Sequence, residues 1–226
     1  MLLPVIRLVV SALTLSAPGP VRVPEPAVDA PLASAAGRQI AVLSGGCFWG
    51  VQAVYEHVKG VIKVTSGFAG GDVASPSYEE VSTGSTGHAE SVQIEYDPSQ
   101  ISYGQLLKVF FSVAHDPTEV DRQGPDVGTQ YRSAIFYSSD EQQRIATAYI
   151  DQLTKAHVFP AKIATEVAPL KAFFVAENYH QDYYIHHPYS LYIIYNDKPK
   201  VANLKDGWPA LYRDAPTQWA ASTASR

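Results

Sequence analysis

Cysteine is almost missing from this chain: there is one, Cys47, in 226 residues. That excludes an intramolecular disulfide and any multi-cysteine zinc site. The lone thiol is either buried filler or a reactive centre. Methionine is as scarce, present only as Met1. Charge is also low, with 17% charged residues and a net charge of −5. A general nucleic-acid binder carries a basic surplus, so that class is set aside. The apolar run over residues 8–17 is too short to span a bilayer comfortably. There is no internal repeat and no long run of one charge. What remains is a globular composition, 46% hydrophobic, long enough to bury a proper core without staples.

The ends read differently from the middle. Residues 1–17 carry Arg7 followed by the apolar run, whose length suits the core of a signal peptide. Cleavage near Ser16 or Ala17 is hindered by Pro18, so a cleaved leader, an uncleaved anchor and no export all stay open. Export is the leading expectation, to the periplasm or otherwise outside the cytoplasm; without a working leader the protein is cytoplasmic. Residues 18–37 hold Pro18, Pro20, Pro24, Pro26 and Pro31. Such spacing prevents regular helix or sheet and predicts an extended linker. Residues 38–213 are then the folded domain, and residues 214–226, small and polar, a flexible tail.

Within the domain, residues 38–44 are β-compatible and run into Gly45-Gly46. Residues 47–59 have helical spacing, with Gly60 a natural C′ stop. Residues 61–68 read as a second strand. Residues 88–96 alternate, with Val92, Ile94 and Tyr96 on one face. Ser102 with Gln105 predicts a capping box and a helix through Val113. Residues 116–130 form a polar loop and residues 132–137 a fourth strand. Ser138 with Glu141 predicts a second box for a helix to about Ala156, and residues 163–167 a fifth strand. The first six elements run βαββαβ. That order is the signature of an α+β, ferredoxin-like two-layer α/β plait with a mostly antiparallel sheet and helices on one face.

Cys47 sits where the first strand meets the first helix. A thiol at a helix N-terminus meets unpaired amides and the positive end of the macrodipole, which predicts a lowered pKa. Glu90 continues the alternation backward onto the face of Val92, Ile94 and Tyr96. There it loses hydration and its pKa is expected to rise, so it can hold a proton near neutral pH. The competing reading places it past the strand end, in solvent. Tyr78 and Tyr131 lie in flanking loops, and each is equally readable as a core phenol among 14 tyrosines.

Taken together, the residues resemble the methionine sulfoxide reductase A family. The resemblance rests on Gly46-Cys47-Phe48-Trp49-Gly50, Ser77-Tyr78-Glu79-Glu80-Val81, Thr86-Gly87-His88-Ala89-Glu90, Tyr96-Asp97-Pro98 and His115-Asp116-Pro117-Thr118. It continues through Arg122-Gln123-Gly124, the stretch from Asp126 to Ile135, Glu177-Asn178-Tyr179-His180-Gln181 and Pro199-Lys200-Val201, all in family order. The family is one of plait-fold enzymes that reduce the S-epimer of methionine sulfoxide, free or in proteins, as oxidative-damage repair. The resemblance implies that Cys47 attacks the sulfoxide sulfur and ends as a sulfenic acid. Glu90 is implied as the acid that protonates the oxygen, and Tyr78 and Tyr131 as the phenols that hold it. Phe48 and Trp49 are implied as the pocket for the S-methyl group, and Asp126 as a substrate-orienting carboxylate.

Two departures matter. Resolving cysteines found in many members are missing, both near the C-terminus and where Ser82 stands. An external thiol must then reduce the sulfenic acid: thioredoxin, glutaredoxin with glutathione, or dithiothreitol in vitro. Gln52 replaces a usual glutamate and is expected to make the local field slightly less negative. No metal, prosthetic cofactor, nucleic acid or integral membrane domain is implied, and a monomer is expected. His180, His186 and His187 show no zinc spacing and are read as solvated or hydrogen-bonding; His88 is read as a structural hydrogen-bonder. Gly-rich stretches near Gly70 and Gly84 lack a phosphate-binding fingerprint. Two rivals stand. A cysteine hydrolase needs an imidazole beside the sulfur. A non-catalytic module would bind oxidised peptides and turn nothing over.

Overall fold

The structure is a computed structural model that describes residues 19–219. The expected leader over residues 1–17 lies outside the described residues. Strand β1, Gln39–Gly45, ends at Gly46, whose φ of +84° turns the chain into helix α1, Phe48–Glu56. Only glycine adopts that turn cheaply, and a Cβ there would also overlap Gln123. Helix α1 stops at His57, short of the predicted Lys59. Gly60, at φ +84°, therefore turns the chain into β2, Val61–Ala69, rather than capping the helix. A short helix not foreseen from the sequence, α2 (Tyr78–Ser82), is opened by a capping box of Ser77 and Glu80. Strand β3 is Ala89–Tyr96. Helix α3, Tyr103–Val109, has the predicted box of Ser102 and Gln105 and continues as one π turn, Phe110–Ala114.

The polar loop holds a two-residue hairpin, β4 (Arg122–Gln123) and β5 (Asp126–Val127). After β6, Ser133–Tyr137, comes α4, Asp140–Lys155. Its cap is Ser139, one residue later than predicted, accepting from the Gln142 amide. The slip has a reason: the Gln142 side chain donates to the Ile40 carbonyl while accepting from Ser138, and a glutamate at 141 could not supply that donor. Strand β7, Glu166–Pro169, overlaps the predicted fifth strand but starts three residues later, and β8 is Phe173–Val175. Helix α5, Tyr183–His186, and a π turn, Ile193–Asp197, lead into α6, Lys198–Gly207.

The sheet runs β7-β6-β1-β3-β2-β8. Its four central strands are antiparallel neighbours in the split-βαβ order of the plait. The structure adds a parallel edge strand beside β6 and an antiparallel one beside β2. Leu43, Val64, Phe68, Val92, Ile94 and Ile135 face helices α1, α3 and α4 in the main core. The other face carries a small cluster, Val42, Ala69, Ala89, Ala134 and Phe136, covered by Ala168, Leu170 and Phe173.

Residues 19–37, predicted as a linker, contain no helix or strand, yet they lie against the domain. Val23 is buried, and the Pro24 carbonyl accepts from the Tyr149 hydroxyl. Glu25 pairs with Lys108, and Asp29 accepts from Ser102 Oγ and the Gly104 amide. The start of the predicted tail is tied down too. Thr217 N–H donates to the Glu56 carbonyl, and Trp219 N–H to Asp182.

Candidate active site

Cys47 is the N-cap of α1 and is 8% exposed. Its neighbour Phe48 donates its backbone N–H to Glu90 Oε2 at 3.0 Å. The pairing of β2 with β3 aligns Phe68 with Glu90, so Glu90 enters from the centre of the sheet, on the core face that alternation predicts. It is 2% exposed. Burial pushes its carboxyl up to about 8, with the nearby Asp126 adding to the rise and the Phe48 amide opposing it. The solvated alternative for Glu90 is thereby overturned.

The thiol departs from expectation. The Trp49 amide does pull its pKa down, but burial, Glu90 and Asp197 outweigh it and push Cys47 well above its ordinary value. Desolvation of the thiolate exceeds what one short helix terminus supplies. The resting site therefore holds a thiol.

Tyr78 opens α2, and its backbone N–H donates to Glu177 Oε1 at 3.0 Å. Tyr131 closes the single 3₁₀ turn after Gly128. Both phenols are half-buried, and both are pushed up by burial and then by Glu90. Asp126 is half-buried and accepts a hydrogen bond from the Tyr192 hydroxyl. The predicted acid, thiol, phenols and Asp126 thus share one field.

The two predicted pocket aromatics are placed unlike one another. Phe48 is fully buried, with its ring 5.9 Å from Phe68 and 5.0 Å from His180. Trp49 is half-buried. It stacks on Tyr183 at 3.7 Å, meets Tyr192 edge-on at 5.8 Å, and donates Nε1–H to His180 Nδ1 at 3.2 Å. His180 is not a solvated histidine: it is 1% exposed and packs 4.3 Å from Tyr78. Because Nδ1 accepts from Trp49, the neutral ring carries its proton on Nε2. His88 links the Gly71 amide to the Val73 carbonyl. Among the described residues no group of three or more His, Cys, Asp or Glu converges as a metal site. No described helix is long and apolar enough to cross a membrane.

Gln52 does more than alter the field. Its amide donates to the Val64 carbonyl at 3.2 Å and accepts from Ser66 Oγ and the Asp182 amide. It clamps α1 to β2 and to the chain before α5. A glutamate would lose the donor to Val64.

A cavity of about 500 Å³ opens on the sulfur from the side of α6. Cys47, Asp126, Tyr192 and Lys200 line it, whereas Glu90, Tyr78 and Tyr131 do not. Lys200 Nζ lies 3.5 Å from Asp197 Oδ1. Sequence reasoning assigned no role to Tyr192, Asp197 or Lys200. The Asp197–Lys200 spacing of three was the available signal, but it falls across the junction of a π turn and a helix.

The family model described as Peptide methionine sulfoxide reductase matches residues 39–211. The chain belongs to that family. Among its reductase relatives, Peptide methionine sulfoxide reductase MsrA 2 of Mesorhizobium japonicum is 58% identical over 81% of this chain and 94% of its own length. The protein of the same name from Synechocystis is 51% identical, covering 81% and 86%. Reduced Mxr1 of Saccharomyces cerevisiae superposes with a TM-score of 0.60 at 33% identity, covering 70% of this chain and 94% of its own. Methionine sulfoxide reductase A of Corynebacterium diphtheriae gives 0.59 at 36% identity, covering 67% and 76%.

Proposed function

We propose that this chain reduces the S-epimer of methionine sulfoxide, in proteins and as the free amino acid, in oxidative-damage repair. The observation that carries this reading is the buried, proton-holding Glu90 bound to the amide of the residue next to Cys47.

Sulfoxide oxygen leaves poorly until it is protonated. At neutral pH Glu90, at about 8, keeps its proton and donates it to that oxygen. Tyr78 and Tyr131, held as neutral phenols, donate hydrogen bonds to the same atom and stabilise the charge developing there. Cys47 Sγ attacks the sulfoxide sulfur. Methionine departs as the thioether, and Cys47 becomes a sulfenic acid. Trp49, fixed by its stack on Tyr183, and Phe48 wall the S-methyl group. Asp126, bound by the Tyr192 hydroxyl, orients the rest of the substrate. With one cysteine in the sequence, an external thiol of the thioredoxin or glutathione type returns the sulfenic acid to the thiol.

The hydrolase reading loses its base. His115 lines the cavity with Cys47, but its Nδ1 engages the Phe110 carbonyl and its Nε2 engages Ser133 Oγ at 2.7 Å. Burial also pushes it down to about 3.

A single turnover on S-sulfoxide without reductant, followed by mass spectrometry of Cys47, tests the proposal. One equivalent of methionine with Cys47 as sulfenic acid is expected. No methionine from folded protein would leave a recognition module.

A further inference from the structure

Two buried carboxyls bear on Cys47, and the mechanism above uses one. The other, Asp197, closes the π turn before α6 and is 0% exposed. Among the described residues neither of its oxygens has a hydrogen-bond partner. Lys200, one turn on, forms the long ion pair at 3.5 Å. A Cβ at Gly50 would overlap both the Asp197 carboxyl and Lys200 Nζ. Glycine there lets the pair press against the first turn of α1. Cys47 caps that turn and Gly50 is its third residue, so thiol and carboxylate address the same end of the helix. The first turn of α1 has no acidic residue of its own; Asp197 supplies that charge from another element.

Attack requires the thiolate, so the thiol proton must go somewhere. Glu90 is already protonated, and Tyr78, Tyr131 and Tyr192 are all pushed up. His115 has both nitrogens engaged, and Asp126 accepts from Tyr192. We infer, resting on the reductase reading, that Asp197 accepts the Cys47 thiol proton as the sulfur attacks, directly or through one water, and that Lys200 keeps Asp197 charged beforehand. The protons and electrons balance. The thiol proton moves to Asp197, and the Glu90 proton moves to the sulfoxide oxygen. The substrate S–O bond breaks as its oxygen, carrying the Glu90 proton, passes to Cys47 Sγ, and the transient S–S bond made by the attack breaks to release the thioether; Cys47 is oxidised by two electrons and the substrate sulfur reduced by two. Glu90 is then ionised and Asp197 protonated until solvent resets them. Burial and Asp126 raise Asp197 to about 6, and Lys200 opposes them and favours its ionised form. Cys47 from α1, Asp126 from β5, and Tyr184 and Tyr192 flank it as neutral or acidic groups, and Lys200 from α6 is the cation. Asp197 lies at about 6 against about 8 for Glu90, so at pH 7 the first is mostly ionised and the second mostly protonated.

The test compares wild type, Asp197→Asn and Lys200→Gln in two assays across pH: iodoacetamide alkylation of Cys47, and single-turnover release of methionine. Removing the Asp197 charge should raise thiolate content, so Asp197→Asn alkylates faster at a given pH. Its single turnover should nevertheless fall, on the order of a hundredfold, and lose the limb near pH 6. Lys200→Gln should move that limb to higher pH. A structural or purely electrostatic role predicts no such split. Asp197→Asn turning over as fast as wild type, or faster, overturns the inference. If that variant does not fold, an unmoved limb in Lys200→Gln overturns it. Wild type making no methionine sinks the reductase reading instead.

Discussion

Glu90 and Asp197 are the same chemical group, buried against the same end of α1, and the fold treats them in opposite ways. Glu90 rises from β3, which is paired on both sides by β1 and β2. It receives one backbone amide, has no cation acting on it among the described residues, and goes up to about 8. Asp197 comes from a π turn. It receives no hydrogen bond from the described residues; burial pushes it up, an ammonium 3.5 Å away opposes the rise, and it reaches only about 6. One amide against one ammonium puts the two on opposite sides of neutral pH. The thiol is raised by burial first and then by both carboxyls. Proton supply is therefore arranged around the sulfur rather than built into it.

The largest effect expected is from Cys47→Ser. It should abolish single-turnover methionine release with no loss of folding, since a hydroxyl replaces a thiol of similar size at the cap. Residual turnover would mean that Cys47 is not the nucleophile. Next comes Glu90→Gln. Sulfoxide reduction should slow on the order of a hundredfold or more, and the wild-type fall in rate above pH 8 should vanish. The same variant should be more stable. A carboxyl raised from 4.5 to about 8 contributes stability that is complete below pH 4.5 and is lost as pH climbs to 8. At pH 7 the folded state is then penalised on the order of 3 kcal/mol for holding a proton the unfolded chain releases. Glutamine removes that penalty, and urea midpoints at pH 5 and pH 8 would show the gap to wild type widening with pH. A gap independent of pH would mean that Glu90 is ionised in the fold.

The Glu90 half of this contrast was legible in the sequence. Period-2 alternation through Val92, Ile94 and Tyr96 places Glu90 on the core face, and Gly45-Gly46 before Cys47 marks a strand-to-helix turn. Ser102 with Gln105 gave the cap of α3 by its spacing. The other half was not legible. Asp197 closes a π turn, with Tyr192 just before it and Lys200 in the helix after it, and a break of that kind interrupts the period that reveals a buried face. The sign of the thiol shift depends on how much of that stretch covers Cys47, and no local pattern near residue 47 reports this. The Pro-rich segment misled for a related reason. Its composition excludes helix and strand, but docking through Asp29 onto Gly104 joins residues 75 apart.

Gly50→Ala sharpens the comparison from the helix side. Alanine is a better helix former by about 1 kcal/mol, so on propensity alone the change stabilises. The added Cβ overlaps the Asp197 carboxyl and Lys200, and forcing bulk into a filled site costs about 1–3 kcal/mol. Overlap wins, and the net should be a modest loss of stability. Activity should lose its limb near pH 6, while the decline above pH 8 set by Glu90 stays. Loss of both limbs would mean that the two carboxyls are not separately held.

The smallest effect expected lies away from both carboxyls. Asp29 caps α3 from outside that helix, accepting from the Gly104 amide at 2.8 Å and from Ser102 Oγ. Asp29→Ala should cost about 1 kcal/mol, the usual worth of a helix cap, read as a shift in urea midpoint without a change in slope. The pH profile of single turnover should not move, because Asp29 touches neither the sulfur nor either acid. A changed profile would show that residues 19–37 bear on the site, which they can reach through Gly19 and Val21 at the rim of the cavity beside Cys47. An unchanged profile with the stability loss would confine the segment to holding α3 and α4, and leave the control of protonation to the two carboxyls.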